Sequence, residues 1–295
     1  MQYGIKFDPA WAGGDDWREQ FGDPDRAFSA ARRWGLDFVE LTWTEQTPPG
    51  AIAAMGRRVW QAGLGCSIHP YFYGELAADV FDRADPAGFD PLFDAAGTLA
   101  DLTGGEVTVV FHPGRIDYEP NFRPADEAFA ATRAFFRWAG RRAGEVPGVR
   151  VLCETNMPVF PPDDRDRQVL GMTYRECLDL TDGADVGICW DFGHAFASAR
   201  LGHHPDMPPP AFVRRVGHVH AHDTVRTETG AVDHRPLGVG FCPWREYFRL
   251  LAGAGFDARV LFEIAMVNPG GQAGLGEIVG GSIAEIDAIF AAARP

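Results

Sequence analysis

The chain has 295 residues, 46% of them apolar and 23% charged, with a formal net charge of −14. That is ordinary globular composition, and the length suits either two domains or one large α/β barrel. An acidic chain without a run of basic residues repels phosphate backbones, so no nucleic-acid partner is expected.

Short apolar runs alternate with longer helical patterns. "YGIKF" (Tyr3–Phe7) reads as a first strand, and "DPDRAFSAARRWG" as a helix with an acidic start and Gly35 as its stop. "FVELTW" (Phe38–Trp43) is a second strand, followed by a helix from about Ala51 to Gln61 that Gly63 ends. "GCSIHP" (Gly65–Pro70) is a third, with a helix over Pro91–Leu102 behind it. "VTVVFHP" (Val107–Pro113) is a fourth, and "ADEAFAATRAFFRWAGRRAG" a long helix with apolar residues three and four apart. "VRVLCETN" (Val149–Asn156) is a fifth strand, followed by a helix in "TYRECLDLT" with Thr173 as a candidate cap. "VGICWDF" (Val186–Phe192) and "VGHVHAHD" (Val216–Asp223) are the sixth and seventh. A helix in "WREYFRLLAGAG", an eighth strand "RVLFEI" (Arg259–Ile264) and a closing helix "SIAEIDAIFAAA" complete the order.

The strands are continuous apolar runs, as expected when both faces are covered, and strands alternating with helices pair in parallel. Eight such units in one chain of this length predict a single-domain (β/α)8 TIM barrel over residues 1–295. A doubly wound sheet fits less well, because "FDPAWAGG" after the first strand is not a glycine-rich phosphate turn. The Pro-rich segments 158–162 and 205–210 are expected as loops on the face where barrels build their sites. No apolar run reaches the roughly 18 residues of a membrane span, and the N-terminus lacks a signal-peptide pattern. Five scattered cysteines (Cys66, Cys153, Cys177, Cys189, Cys242) with no CxxC point to a reduced, cytoplasmic protein. A homo-oligomer is compatible with all of this.

In a parallel barrel the C-terminal strand ends face one pocket. Read in order, those ends supply Glu40, His69, His112, Glu154, Asp191, His220 and Glu263. A single buried histidine or acid is ordinary; a converging set of acids repels itself and loses hydration unless a cation sits among them. Carboxylates and imidazoles suit Mn²⁺, Mg²⁺, Co²⁺ or Zn²⁺.

The stretches "CETN", "WDFGH", "HVHAHD", "DHRPLGVG" and "FEI" resemble those of the xylose isomerase-like TIM-barrel superfamily, which holds sugar and sugar-phosphate isomerases and epimerases and a class of AP endonucleases. The resemblance implies one divalent metal, Mn²⁺ foremost, on Glu154, Asp191, His220 and Glu263. It also implies proton transfer by Glu154 and Glu263 through a metal-stabilised enediolate on a small sugar, sugar phosphate or keto-polyol. A related dehydratase would use the same enediolate. His69, His112, His194 and Arg226 are expected to touch substrate, and His194 with His234 to offer a second metal position. Trp43, Trp190 and Phe192 are candidates for an apolar wall, although Trp190 should point into the core. His218 and His222 are expected to support ligands or structure, and Asp223 to orient a ligand histidine or cap a turn.

Two departures from the family pattern weigh on the choice of activity. Ketose 3-epimerases carry a second Glu where this chain has Phe160. The endonucleases, which need three zinc ions, carry an acid two residues before the position of His234, where this chain has Val232, with Asp233 adjacent instead. A zinc phosphodiesterase and a non-catalytic sugar-binding barrel stand as alternatives.

Overall fold

The structure, a computed structural model, describes residues 1–9, 21–71, 86–115, 124–157, 169–227, 230–264 and 271–293. Eight parallel strands close into a barrel: β1 (Gln2–Phe7), β2 (Phe38–Trp43), β3 (Gly65–Pro70), β4 (Val107–Phe111), β5 (Val149–Glu154), β6 (Gly187–Asp191), β7 (Val216–His220) and β10 (Arg259–Phe262). The seam is the pairing of β1 with β10, from Gln2 opposite Arg259 to Ile5 opposite Phe262. The helices follow as α1 (Pro24–Arg33), α2 (Ala51–Gln61), α3 (Asp90–Thr103), α4 (Ala125–Gly144), α5 (Tyr174–Leu180), α6 (Phe192–Arg200), α7 (Pro210–Val213), α8 (Trp244–Gly253) and α9 (Gly271–Ala293).

Helix boundaries follow the local chemistry. The Asp23 carboxylate caps α1 by accepting the Asp25 N–H at 2.7 Å, and Pro24 sits where a missing N–H costs nothing. Thr173 caps α5 as its sequence suggests, accepting the Glu176 N–H at 3.1 Å. Gly35 and Gly63 take φ of 83° and 76°, the left-handed conformation that ends a helix cheaply.

The strands divide their side chains between two cores. Val109, Phe111, Val151, Cys153, Ile188 and Trp190 face the helices in the main apolar cluster. Their neighbours Val110, Leu152 and Cys189 form a small separate cluster inside the barrel, as strand alternation requires. Facing it across the interior are Glu40, Ser67, His218 and His220, all fully buried. The described lumen therefore carries buried polar side chains beside the apolar ones, which a packed barrel core does not need.

Three differences from the sequence reading matter. The seventh strand stops at His220, and the chain turns out at Asp223 into an antiparallel hairpin of β8 (Asp223–Thr227) and β9 (Gly230–Arg235). Residues after His220 thus leave the barrel wall, and "HVHAHD" is not one strand. The last helix begins at Gly271, well before "SIAEIDAIFAAA". Glycines at 271, 274, 276, 280 and 281 hide its start from propensity. Finally, Glu40 lies mid-strand and one layer below the mouth, because β2 runs on to Trp43. Of the two Pro-rich loops, 158–162 lies outside the described residues.

Candidate metal and active site

The last residues of β5, β6 and β7 and the first residue past β10 meet at the C-terminal mouth of the barrel. Glu154, Asp191, His220 and Glu263 are buried, and each offers a donor atom within 4.8 Å of the others. His220 turns Nδ1 into the group, 2.9 Å from Glu263 Oε2, 3.2 Å from Glu154 Oε1 and 3.9 Å from Asp191 Oδ2. The Oε2 atoms of Glu154 and Glu263 have no hydrogen-bond partner. Buried carboxylate oxygens left unpartnered around an imidazole nitrogen are costly in a protein interior. They make a donor set that fits a divalent cation.

Electrostatics agree with the geometry. Burial opposes charge on His220, yet Cys189 and then Glu154, Glu40 and Glu263 raise its pKa well above the ordinary range. A field that favours a proton there also favours a cation. Burial would also raise the pKa of Glu154 and Glu263. The imidazoles of His112, His220 and His69 outweigh it for Glu154, and Lys6, His220 and His234 for Glu263, so both stay well below the usual carboxylate range.

Each donor is held from behind. Lys6 Nζ on β1 donates to Glu263 Oε1 at 2.8 Å. Asp191 Oδ1 accepts the His194 N–H at 2.7 Å, capping α6, while its Oδ2 is 2.9 Å from His222 Nε2. The other His222 nitrogen, Nδ1, accepts the His234 backbone N–H at 3.0 Å. With Nδ1 accepting, the hydrogen sits on Nε2, which donates it to Asp191 Oδ2, so the ring links the His234 backbone to Asp191. Thr155 ties the neighbouring strand ends together: its hydroxyl accepts the Asp191 N–H at 2.9 Å and donates to the Asp191 carbonyl at 3.2 Å.

Gly193 in "WDFGH" has a steric reason. A Cβ there would collide with the His222 ring. Gly193→Ala is expected to push His222 off Asp191 and weaken divalent-metal binding by about 10- to 100-fold, the usual cost of losing a ligand's outer partner. A Mn²⁺ or Co²⁺ titration against a competing chelator checks this.

The structure brings the remaining expected histidines to the same mouth. His69 and His112 stand side by side with ring centroids 4.8 Å apart, and their Nε2 atoms lie 3.5 and 3.4 Å from the free Glu154 Oε2. His194 Nδ1 is 3.5 Å from both Glu154 Oε1 and Asp191 Oδ2. His234 Nε2 is 3.3 Å from Glu263 Oε1. His234 takes φ of 52°, and Asp233 reaches both it, Oδ1 to Nδ1 at 3.0 Å, and His194, Oδ2 to Nε2 at 4.0 Å. The side chain of Arg226, on β8, lies outside what is described, as does Phe160.

Some expectations are corrected. Trp190 is core, as its place beside Asp191 implies, and so is Phe192. The two rings pack 4.8 Å apart and against Tyr247 at 4.6 and 5.0 Å, on the helix side of the barrel. Neither forms a pocket wall, and Trp43 is partly buried against the same apolar cluster. Asp223 orients no ligand histidine with its carboxylate. Oδ1 accepts the N–H groups of Thr224 and Cys242 at 2.9 and 3.0 Å, and Oδ2 those of Gly238 and Gly240 at 3.0 and 2.9 Å. Sequence reasoning missed Lys6 and Thr155 outright, since neither an isolated Lys in a first strand nor a Thr after a Glu stands out.

Residues 28–279 match the family model described as xylose isomerase-like TIM barrel. The chain belongs to this family. Among solved structures it is similar to a D-tagatose 3-epimerase-like protein, at 20% identity over 98% of this chain and 99% of that one, with a TM-score of 0.67. D-psicose 3-epimerase of Clostridium cellulolyticum H10 shares 14% identity over 98% and 99%, TM-score 0.65. Endonuclease IV of Thermus thermophilus shares 20% over 97% and 100%, TM-score 0.52. Identities this low carry the fold, a closed (β/α)8 barrel, and no particular substrate. No curated protein sequence matches the chain. Among the described residues no helix is long and apolar enough to cross a membrane.

Proposed function

We propose that this protein is a divalent-metal-dependent isomerase or epimerase of a small sugar, sugar phosphate or keto-polyol. The observation that carries the reading is the buried convergence of Glu154, Asp191, Glu263 and His220 Nδ1 within 4.8 Å. A divalent ion held there, Mn²⁺ foremost, would supply Lewis-acid stabilisation of the negative charge that develops when a carbon beside a carbonyl loses its proton. The chain's own residues do the rest. Glu154, whose Oε2 is free of hydrogen bonds, accepts the proton, and Glu263, held by Lys6, stands across His220 from it. Return of a proton to the opposite face through Glu263, taken from the Lys6 ammonium that donates to it and replaced from water, while Glu154 gives its proton to water, gives epimerisation. Return by Glu154 to the neighbouring carbon gives isomerisation. His69 and His112 flank Glu154 and are placed to hold substrate hydroxyls. The solved sugar epimerases of the same fold support this substrate class.

The experiment is a panel of ketoses, keto-polyols and hydroxypyruvate in D₂O with added Mn²⁺, read by NMR. Deuterium is expected to enter one C–H position beside the carbonyl; no exchange with any member of the panel would sink the reading. A second reading has its own observation. His69, His112 and Glu154 form a further donor group, and His194, His222 and His234 another, next to the central four. That pattern suits a three-zinc phosphodiesterase, although a net charge of −14 opposes a DNA partner. Metal content separates the two: one ion per chain supports the isomerase, three zinc ions the phosphodiesterase.

A further inference from the structure

Glu40 raises a question that the proposed site leaves open. Its side chain is fully buried inside the barrel, where an uncompensated carboxylate is expensive. The ammonium on the neighbouring strand does not offset it at contact distance, because Lys6 pairs with Glu263 at the mouth. Glu40 Oε2 accepts the Ser67 hydroxyl at 2.9 Å and lies 3.9 Å from His218 Nε2. Its Oε1 lies 3.3 Å from His220 Nε2, and each of these two atoms is without a hydrogen-bond partner, so the two buried polar atoms face only each other. His220 is therefore bracketed. Nδ1 faces Glu154, Asp191 and Glu263, and Nε2 faces Glu40 one layer below.

We propose that Glu40 is a positioning residue: through Nε2 it fixes the ring orientation and tautomer of His220, so that Nδ1 is presented as the donor to the ion. The proposal rests on the metal reading of the site. The physical basis is general. A histidine can offer a lone pair from one ring nitrogen only if the other carries the hydrogen, and a carboxylate at that second nitrogen selects this tautomer and makes the ring a better donor. Ser67 completes the chain by holding the far oxygen, which leaves Oε1 to His220. His218 does not compete for Oε1: its ring packs edge-on against Phe38 at 5.7 Å, and its contact with Glu40 is the longer one.

The test needs no substrate. Co²⁺ is titrated into wild type, Glu40→Gln, Ser67→Ala, His220→Ala and the Glu40→Gln/His220→Ala double variant, following affinity and the visible ligand-field bands, with circular dichroism as the check on folding. Glu40→Gln keeps the volume and removes the anion. It is expected to weaken Co²⁺ by about 10- to 100-fold, the range typical of an outer partner of a ligand, and to shift the bands. Ser67→Ala should move both readouts in the same direction by less. In the His220→Ala background, Glu40→Gln should add nothing. Should Glu40→Gln fail to fold, Ser67→Ala alone decides: unchanged affinity and bands in a folded Ser67→Ala overturn the proposal. So does an affinity within about twofold of wild type in Glu40→Gln, or a full loss that persists without His220. Wild type that binds no Co²⁺, Mn²⁺ or Zn²⁺ removes the metal reading itself, a different result from a wild type that binds and a Glu40 variant that binds equally well.

Discussion

Glu154→Gln is expected to abolish solvent-deuterium exchange into substrate, with a loss of about 10³-fold or more, while the barrel stays folded. General acid–base catalysis by a placed side chain contributes about 10² to 10⁴ in rate, and the proposed ion would lose one of its four ligands in the same step. The amide keeps the side chain's shape, so the interior packing of β5 survives. It removes the anion that four imidazoles face: His220 Nδ1 at 3.2 Å, His112 Nε2 at 3.4 Å, and His69 Nε2 and His194 Nδ1 at 3.5 Å. Metal content should fall with activity. Glu263→Gln should also stop the exchange, but with a different signature. Lys6 would lose its 2.8 Å partner and be left partly buried beside the site. Restoring neutrality with Lys6→Met in that background should recover stability without recovering exchange. Isotope exchange by NMR, metal analysis and thermal melts on the four proteins check this. Full activity in Glu154→Gln would remove it from the chemistry.

The sequence made the barrel and its mouth legible for one reason. Each barrel strand is a short apolar run, and in β5, β6 and β7 the run ends on a charged or ionisable residue. That break in an apolar pattern carries information even in a single sequence, because burial makes such a residue expensive. Glu154, Asp191 and His220 announce themselves in this way, and Glu263 does so one residue past β10. What surrounds them does not. Lys6 looks like an ordinary polar position in a first strand, and only barrel closure, pairing β1 with β10, brings it to Glu263. Glu40 stands out as an acid in an apolar run, and since the sequence already ends β2 at Trp43, its depth in the lumen follows from its place three residues short of that end. His222 reads as one of several alternating histidines in a strand. The chain actually leaves the barrel after His220, and His222 acquires its role from the backbone N–H of His234, twelve residues on. Parity along a strand could not reveal this once the strand had stopped.

That exit from the barrel turns on Asp223, whose replacement should have the largest effect on stability. One carboxylate accepts four backbone N–H groups, from Thr224, Gly238, Gly240 and Cys242. It gathers the segment after the hairpin into a tight loop around itself. Gly240 has a steric reason within it, because a Cβ there would strike the Thr224 carbonyl and the Asp223 carboxylate. Hydrogen bonds to charged groups contribute about 1.5–3 kcal/mol each, and a buried donor left without a partner costs about 1–3 kcal/mol. Asp223→Ala strands several donors at once, some of which water will reach once the loop opens. A net loss of about 4 kcal/mol is therefore expected, lowering Tm by roughly 6–7 °C in a domain of this size. Asp223→Asn keeps the volume and two acceptor lone pairs but brings an NH₂ against backbone donors, so it should fall between. The damage should also be directional. Amide exchange should accelerate first at Gly238, Gly240 and Cys242, then at His234, whose N–H fixes His222 and through it Asp191. Metal affinity would then drop together with loop protection, although Asp223 touches none of the four central donors in this structure. A variant with an unchanged melt and unchanged protection at those three amides would show that the loop holds itself. A destabilised variant that keeps full metal affinity would cut the link from the hairpin to Asp191.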